Sequence, residues 1–267
     1  MQSQSTAIQA LFVYPVKSLG GVSVSTLHFN SAGVVNDRRY MLVDGKNRML
    51  TLRSHSQLSQ FQLAPVEGGW QVSNHKDPGI LIADDASTEQ LIDTEVWSSP
   101  IRTREKSTEV SAWFSEQLDE WVRLVEFDDL ETRYCPVDQH QMPFGFADVF
   151  PLLVCNVQSL KQLSQAVKYP LAMARFRPNV VIDVPADSEY RMSALNCEEG
   201  GQLLLAEPCV RCNVPAIDPL TGVYQKDLHP QLKAQLKRDG KVVFGMNACA
   251  IHCHQLSVGQ SLTLIKG

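Results

Sequence analysis

The first hundred residues of this chain break into short runs of alternating apolar and polar residues that stop every few positions at Gly, Pro, Asn or Asp. The runs IQALFVYPV, VSVSTLHFN, RRYMLVDG, NRMLTLR, FQLAPVE, GWQVSN, GILIAD and EVWSSPIRTRE have the length and period of strands. At period two, successive side chains point to opposite faces, so each run buries its apolar face only by joining neighbours. The pattern therefore predicts a mostly antiparallel sheet or small barrel. Within it, VDGKNRML reads as a hairpin whose turn is supplied by Asp44-Gly45, a pair that tolerates positive φ.

From Ser107 the period changes. STEVSAWFSEQLDEW places Val110, Trp113, Phe114, Leu118 and Trp121 at helical spacing, with Ser107 or Thr108 as N-cap. NVQSLKQLSQAV and HPQLKAQLKRD predict two more helices, and ARFRPNVVIDV, GGQLLLAE, KVVFGMNACAIH and QSLTLIKG are strand-like. The expected fold is mainly β with added helices, a β-rich α+β chain. We place the domain boundary near residue 100, giving units 1–100 and 101–267, with no repeat or long linker between them.

At 267 residues and a net charge of -5, the chain lacks the basic face expected of a nucleic-acid binder, so any cationic cluster should be local and purposeful. The N-terminus shows no signal-peptide pattern, and no apolar stretch reaches membrane-spanning length. We expect a cytoplasmic protein with no membrane or nucleic-acid partner. The cysteine count is seven, an odd number over a medium-sized chain, which argues for reduced thiols. Cys135, Cys155 and Cys197 read as ordinary packing residues.

EPCVRCNVPAIDPLTG carries Cys209 and Cys212 around Arg211. Its spacing leaves three readings open. With Cys249 and His252 the pair forms a tetrahedral zinc set, and Cys253 and His254 lie nearby as spare ligands. Alternatively, the two thiols are a redox pair, although no thioredoxin-like strand-helix context follows. In the third reading, one thiolate holds a metal whose remaining ligands come from a cofactor, and Arg211 lowers the thiol pKa and binds anionic groups.

The third reading requires anion-binding residues elsewhere. YPVKSLGG sets Lys17 and Ser18 at a strand-to-turn junction ahead of two glycines, where an ammonium, a hydroxyl and backbone N-H groups can meet a phosphate. VVNDRRYMLVD places Asp37, Arg38 and Arg39 at the head of a strand, one Arg inward and one outward. MARFRPNVVID puts Arg175 and Arg177 on one face and opens an apolar strand with Arg177-Pro178-Asn179. Asp148, in FGFADVFPLLV, precedes another apolar run and reads as a buried or half-buried carboxylate.

In this order, YPVKS, DRRY, FADVFP, RFRPNVVI, PCVRCNVPAIDPLTG and VGQSLTL resemble the MOSC superfamily over nearly the whole chain. The nearest branch contains the mitochondrial amidoxime-reducing component and bacterial reductases of N-hydroxylated compounds. The resemblance implies an N-terminal β-barrel-like domain packed against a MOSC β-barrel domain, with molybdenum cofactor held between them. It makes Cys212 the metal ligand and Cys209 a neighbour. It gives Lys17, Ser18, Arg38, Arg177, Asn179, Arg211 and Asp148 to the cofactor, with Cys212 and Asp148 catalytic. Relatives carry small hydroxylated residues after that Asp; Val149 and Phe150 here leave only backbone contacts.

The implied activity is reduction of N-hydroxylated compounds (hydroxylaminopurines, amidoximes, hydroxylamines) by oxygen transfer to molybdenum. Electrons come from an external flavoprotein reductase or ferredoxin-type carrier, since the chain shows no iron-sulfur cluster motif of its own. No pyridoxal phosphate is expected, because the chain has no room for a desulfurase domain. The rival expectation is a non-catalytic cofactor carrier or sulfur-relay protein.

Overall fold

A computed structural model describes residues 4–30, 33–127, 133–137, 140–197 and 200–267. Seven strands close into a barrel in the order Leu152–Asn156, Val180–Ile182, Ser5–Val13, Ser261–Lys266, Met192–Cys197, Gln202–Val210 and Lys241–Ile251, the last pairing back onto the first. All these pairings are antiparallel except Leu152–Asn156 with Val180–Ile182, a parallel pair joined by helix α2 (Val157–Ala166). A parallel pair needs such a crossover, and Asn156 starts it by accepting a hydrogen bond from Gln158 N at its N-cap.

The barrel's opening strand comes from the chain's N-terminus, so the first and last strands pair with each other (Thr6 opposite Leu262). The residues between build a four-stranded antiparallel sheet, with Tyr40–Asp44, Val122–Phe127, Ser99–Glu105 and Leu91–Val96 in that order. A three-stranded meander, Gln62–Val66, Gly69–Asn74 and Asp77–Ala83, lies beside it. Helix α1 (Thr108–Leu118) seals this half: Phe114 packs into Phe61 and Trp113 at ring distances of 5.4 and 5.0 Å. One apolar cluster runs from Leu52, Trp70 and Phe114 through to Val180, Leu203 and Leu262, so the two halves share a core. Among the described residues, no helix is long and apolar enough to cross a membrane.

The expected β-rich architecture with three helices is observed, with local departures. α1 stops at Leu118 because Asp119 adopts a left-handed conformation (φ 52), which leaves Trp121 outside the helix and exposed. EVWSSPIRTRE is a hairpin, not one strand, turning at left-handed Trp97 (φ 58). In the 44–48 turn the positive φ falls on Asn47, while the Asp44 carboxylate accepts hydrogen bonds from Lys46 N and Arg48 N. The RFRPN stretch is not part of a strand. Met173–Arg175 forms a 3-10 turn, and pairing begins only at Val180.

Candidate functional site

Two loops meet over the barrel mouth. The turn after Ser5–Val13 is zipped to the segment before Tyr40–Asp44 by four hydrogen bonds: Tyr14 N to Asp37 Oδ1 (2.9 Å), Arg38 N to Tyr14 O (2.8 Å), Tyr40 N to Pro15 O (3.0 Å) and Lys17 N to Tyr40 O (2.8 Å). This zipping, rather than strand alternation, separates the two arginines. Arg38 is left-handed (φ 47) and turns inward, while Arg39 pairs with Glu126 at 3.2 Å.

Ser18 (φ 74) and Arg177 (φ 56) are left-handed as well, so three of the residues assigned to the cofactor hold a conformation that L side chains seldom adopt. Such strain persists only where surrounding structure enforces it, and it concentrates at ligand sites.

The side chains converge. Lys17 is 6% exposed; its ammonium donates to Phe146 O at 2.8 Å and to the Asp148 carboxylate. Arg38 donates to Asp37 (2.5 Å), Asn179 Oδ1 (3.0 Å) and Arg177 O (3.3 Å). Its guanidinium and that of Arg177 lie 4.4 and 4.3 Å from the ring centroid of Tyr14. Arg133 donates to the carbonyls of Gly145, Ala147 and Asp148.

Lys17, Arg38, Arg133 and Arg177 thus stand against Asp37 and Asp148, an excess of two positive charges in a buried setting. A dianionic phosphate would supply the missing countercharge. Burial pushes the Lys17 ammonium down despite Asp148, and it lowers Arg177 to about 10.

Asp148 departs from its expected burial: its side chain is 64% exposed at the edge of the cluster. Desolvation raises its pKa, but the Lys17 charge and hydrogen bond, Arg38 and Trp97 outweigh that and hold it at about 2. It is therefore an acceptor at neutral pH. The sign follows from linkage: a carboxyl depressed from its ordinary 3.8 contributes stability above about pH 4, and that contribution is lost as pH falls toward 2. We expect the melting temperature of Asp148→Asn to vary less than the parent's across that window. Equal slopes in acid titrations of the two proteins would reject this assignment.

Both ends of the Asn179 amide are engaged within the protein. It donates to Phe12 O and Asp37 Oδ1 and accepts from Leu153 N and Arg38. It positions Arg38. Arg175 and Arg177 line one cavity with Tyr14 but reach different partners. Arg175 is buried and donates to the carbonyls of Pro215 and Ile217 and to Asp218, while Arg177 reaches Leu19 O at 2.6 Å. Asp218 in turn caps Leu220 N and Thr221 N, so the DPLTG loop is pinned from both sides. Val149 is exposed and Phe150 packs against the Cys135 and Phe144 cluster, so this segment offers no side-chain donor.

Arg211 lies beside the cluster without entering it, donating to Phe176 O (2.9 Å), the carbonyl next to Arg177, and to Cys209 Sγ at 3.1 Å. Its Nε is buried without a hydrogen-bond partner among the described residues. Cys212 is exposed and lines a cavity of about 260 Å³ with Arg211, Asn213, His229, Leu232 and Lys233.

The zinc set does not assemble. The barrel register puts Cys249 opposite Leu204, five residues before Cys209, with its thiol fully buried 3.9 Å from that of Cys135. Cys253 lies 3.5 Å from Cys197, and no three metal-ligating groups converge among the described residues.

Sequence reasoning missed Arg133, Tyr14 and Trp97. Trp97 donates from Nε1 to Asp148 at 3.3 Å and is capped by Arg53 at 3.9 Å. Arg133 and Trp97 have no local pattern that sets them apart, and Tyr14, although it opens the YPVKS string, carries no charge to mark it as a site residue.

An exposed soft donor, an unpaired guanidinium nitrogen and a cationic cluster in excess by two charges suit a phosphate-bearing, metal-binding cofactor. Molybdopterin is such a group, and the residues fit it.

Known proteins match the chain in two successive parts. Residues 5–120 match the MOSC N-terminal beta barrel domain and residues 141–263 the MOSC domain. The chain is 24% identical over 238 residues to mitochondrial amidoxime reducing component 2 of Homo sapiens, covering 84% of this chain and 70% of that one. It is 25% identical over 240 residues to mitochondrial amidoxime-reducing component 1 of Mus musculus, covering 84% and 68%. The molybdenum cofactor sulfurase of Oryza sativa matches at 23% identity over 90% of this chain but 32% of its own length. In fold, the YUAD protein from Bacillus subtilis superposes with a TM-score of 0.51 at 8% identity, covering 100% of this chain and 98% of that one.

Proposed function

This chain belongs to the MOSC superfamily, with a MOSC N-terminal β-barrel domain ahead of its MOSC domain, and from that premise we propose that it is a molybdenum-cofactor-dependent reductase of N-hydroxylated compounds. Electrons reach it from a separate carrier protein. The observation that carries this reading is the cationic cluster, two charges in excess, linked to the exposed Cys212 through Arg211, which donates to Phe176 O next to Arg177 and lines the cavity that holds the thiol. The names of the amidoxime-reducing relatives support the substrate class.

Lys17, Arg38 and Arg177 neutralise the cofactor phosphate, and left-handed Ser18, next to Lys17 in the same turn, adds a backbone N-H and a hydroxyl. Arg211, which lines the cavity around Cys212, presents its guanidinium to the pterin or its side chain. Asp148, ionised, accepts from pterin N-H groups and holds Lys17 in place. Cys212 supplies the protein's thiolate to the metal. Bound there, the cofactor provides a two-electron metal centre able to take an oxygen atom from substrate. Cys209, hydrogen-bonded to Arg211, steadies the guanidinium.

The first test is cofactor content. Protein purified from a host that makes molybdenum cofactor is expected to carry roughly stoichiometric molybdenum, by elemental mass spectrometry, with matching pterin fluorescence. Zinc without pterin sinks the reading. Cofactor without reduction of any hydroxylamine or amidoxime under dithionite indicates a carrier instead.

A further inference from the structure

Residues 226–241, KDLHPQLKAQLKRDGK, hold five Lys or Arg against two Asp in a chain whose net charge is -5. Helix α3 (Leu228–Gln235) organises them. Its buried side presents Leu228 and Leu232, followed by Leu236, to the core around the stacked Phe176 and Phe244 rings. Beside that buried row stand Lys226, His229, Lys233 and Lys237 at intervals of three and four residues, a stripe in which His229 and Lys233 lie on the helix, Lys226 just ahead of it and Lys237 in the strand that follows. The short strand Lys237–Arg238 then pairs with the start of Lys241–Ile251, which brings Lys241 beside the stripe.

Arg238 is committed to Asp187 at 2.5 Å and to the Tyr190 ring. Lys226, Lys233, Lys237 and Lys241 are all exposed, and none has a carboxylate partner among the described residues. The stripe borders the cavity that contains Cys212, since His229 and Lys233 line that cavity.

We propose that this face is the landing surface for a small acidic electron-carrier protein of the iron-sulfur or flavin class. The inference rests on the reductase reading. Charge complementarity selects the partner: a basic patch on an otherwise acidic protein attracts an acidic surface, orients it, and raises its association rate. Position selects the role, because the patch adjoins the exposed thiol that faces the metal, where a short transfer distance is needed. Each turnover consumes two reducing equivalents. The N–O bond of the hydroxylamine substrate breaks; with two electrons and two protons, the parent amine and water leave, and two one-electron carriers, or one two-electron carrier, are oxidised.

The test uses a plant-type [2Fe-2S] ferredoxin, itself strongly acidic, and the triple variant Lys226→Glu, Lys237→Glu, Lys241→Glu. These exposed positions lie outside the cofactor cluster and the Cys212 cavity, so the fold and dithionite-driven reduction should be unchanged. Ferredoxin binding, measured by calorimetry on the cofactor-free protein, is expected to weaken about tenfold or more in the variant, and in the parent as salt is raised. Ferredoxin-driven turnover should fall in step. Equal ferredoxin affinity for parent and variant overturns the proposal, as does preferential capture of the parent by phosphatidylglycerol vesicles. Should the parent fail to turn over under dithionite, the reductase reading fails separately, and the docking surface is judged on the calorimetry.

Discussion

Cys212→Ser protein, produced in a host that makes molybdenum cofactor, is expected to keep its pterin and lose its activity. The two properties separate because different parts of the site hold them. On the proposed assignment, pterin and phosphate would be held by the cluster of Lys17, Arg38 and Arg177 with Arg211 beside it, and the hydrogen bonds that position these side chains do not involve Cys212. On the same assignment, the thiolate would serve the metal alone. A serine hydroxyl is a harder, far less acidic donor than a thiol, so it leaves the metal without its protein-derived soft ligand.

Removing a ligand at the reacting centre should lower N-hydroxy reduction by roughly a thousandfold, about 4 kcal/mol of barrier. Pterin fluorescence should stay near the parent level. Cys209→Ser is the matched control: its thiol is half-buried against Arg211 and should cost only a few-fold. Loss of activity in Cys209→Ser with retention in Cys212→Ser would reverse the assignment of the two thiols.

The fold was legible in the sequence where burial is one-sided. Period-two runs identified the N-terminal sheets, and Ser107 and α1 were readable because an N-cap and an apolar stripe are local signals. The site was legible through the order of its motifs, since Lys17, Arg38, Asp148, Arg177 and Arg211 each sit in a distinctive short string. What stayed hidden depends on closure. Arg177 and Asn179 read as the head of a strand, yet their geometry is set by a barrel in which Val180 pairs with both Leu11 and Val154. Tyr14 sits in the YPVKS string without a charge to mark it, and it gains meaning only when two loops, 139 residues apart at Arg38 and Arg177, place guanidinium groups around its ring. The Cys249 group looked like a ligand set because spacing in sequence ignores strand register, which sends Cys249 toward Cys135 and away from Cys209.

The largest effect on stability is expected from Asp37→Ala, a residue that touches no part of the cofactor metal site. Asp37 is 9% exposed and joins three partners: it accepts from Tyr14 N, from Asn179 Nδ2 and from the Arg38 guanidinium. Alanine leaves a buried backbone N-H unpaired and raises the cluster's excess from two positive charges to three. Breaking a buried pair by removing one partner costs about 3–5 kcal/mol, because the surviving charge cannot be solvated. For a chain of this size that corresponds to a melting temperature lower by roughly 10 °C. Asp37→Asn separates the two contributions: it can still accept from Tyr14 N but cannot neutralise Arg38, so it should lie between parent and alanine. An anion that fills the cluster compensates for the missing charge. Inorganic phosphate should therefore raise the melting temperature of cofactor-free Asp37→Ala by more than that of the cofactor-free parent. If phosphate stabilises neither protein, the cluster is not a phosphate site, whatever the cost of the substitution.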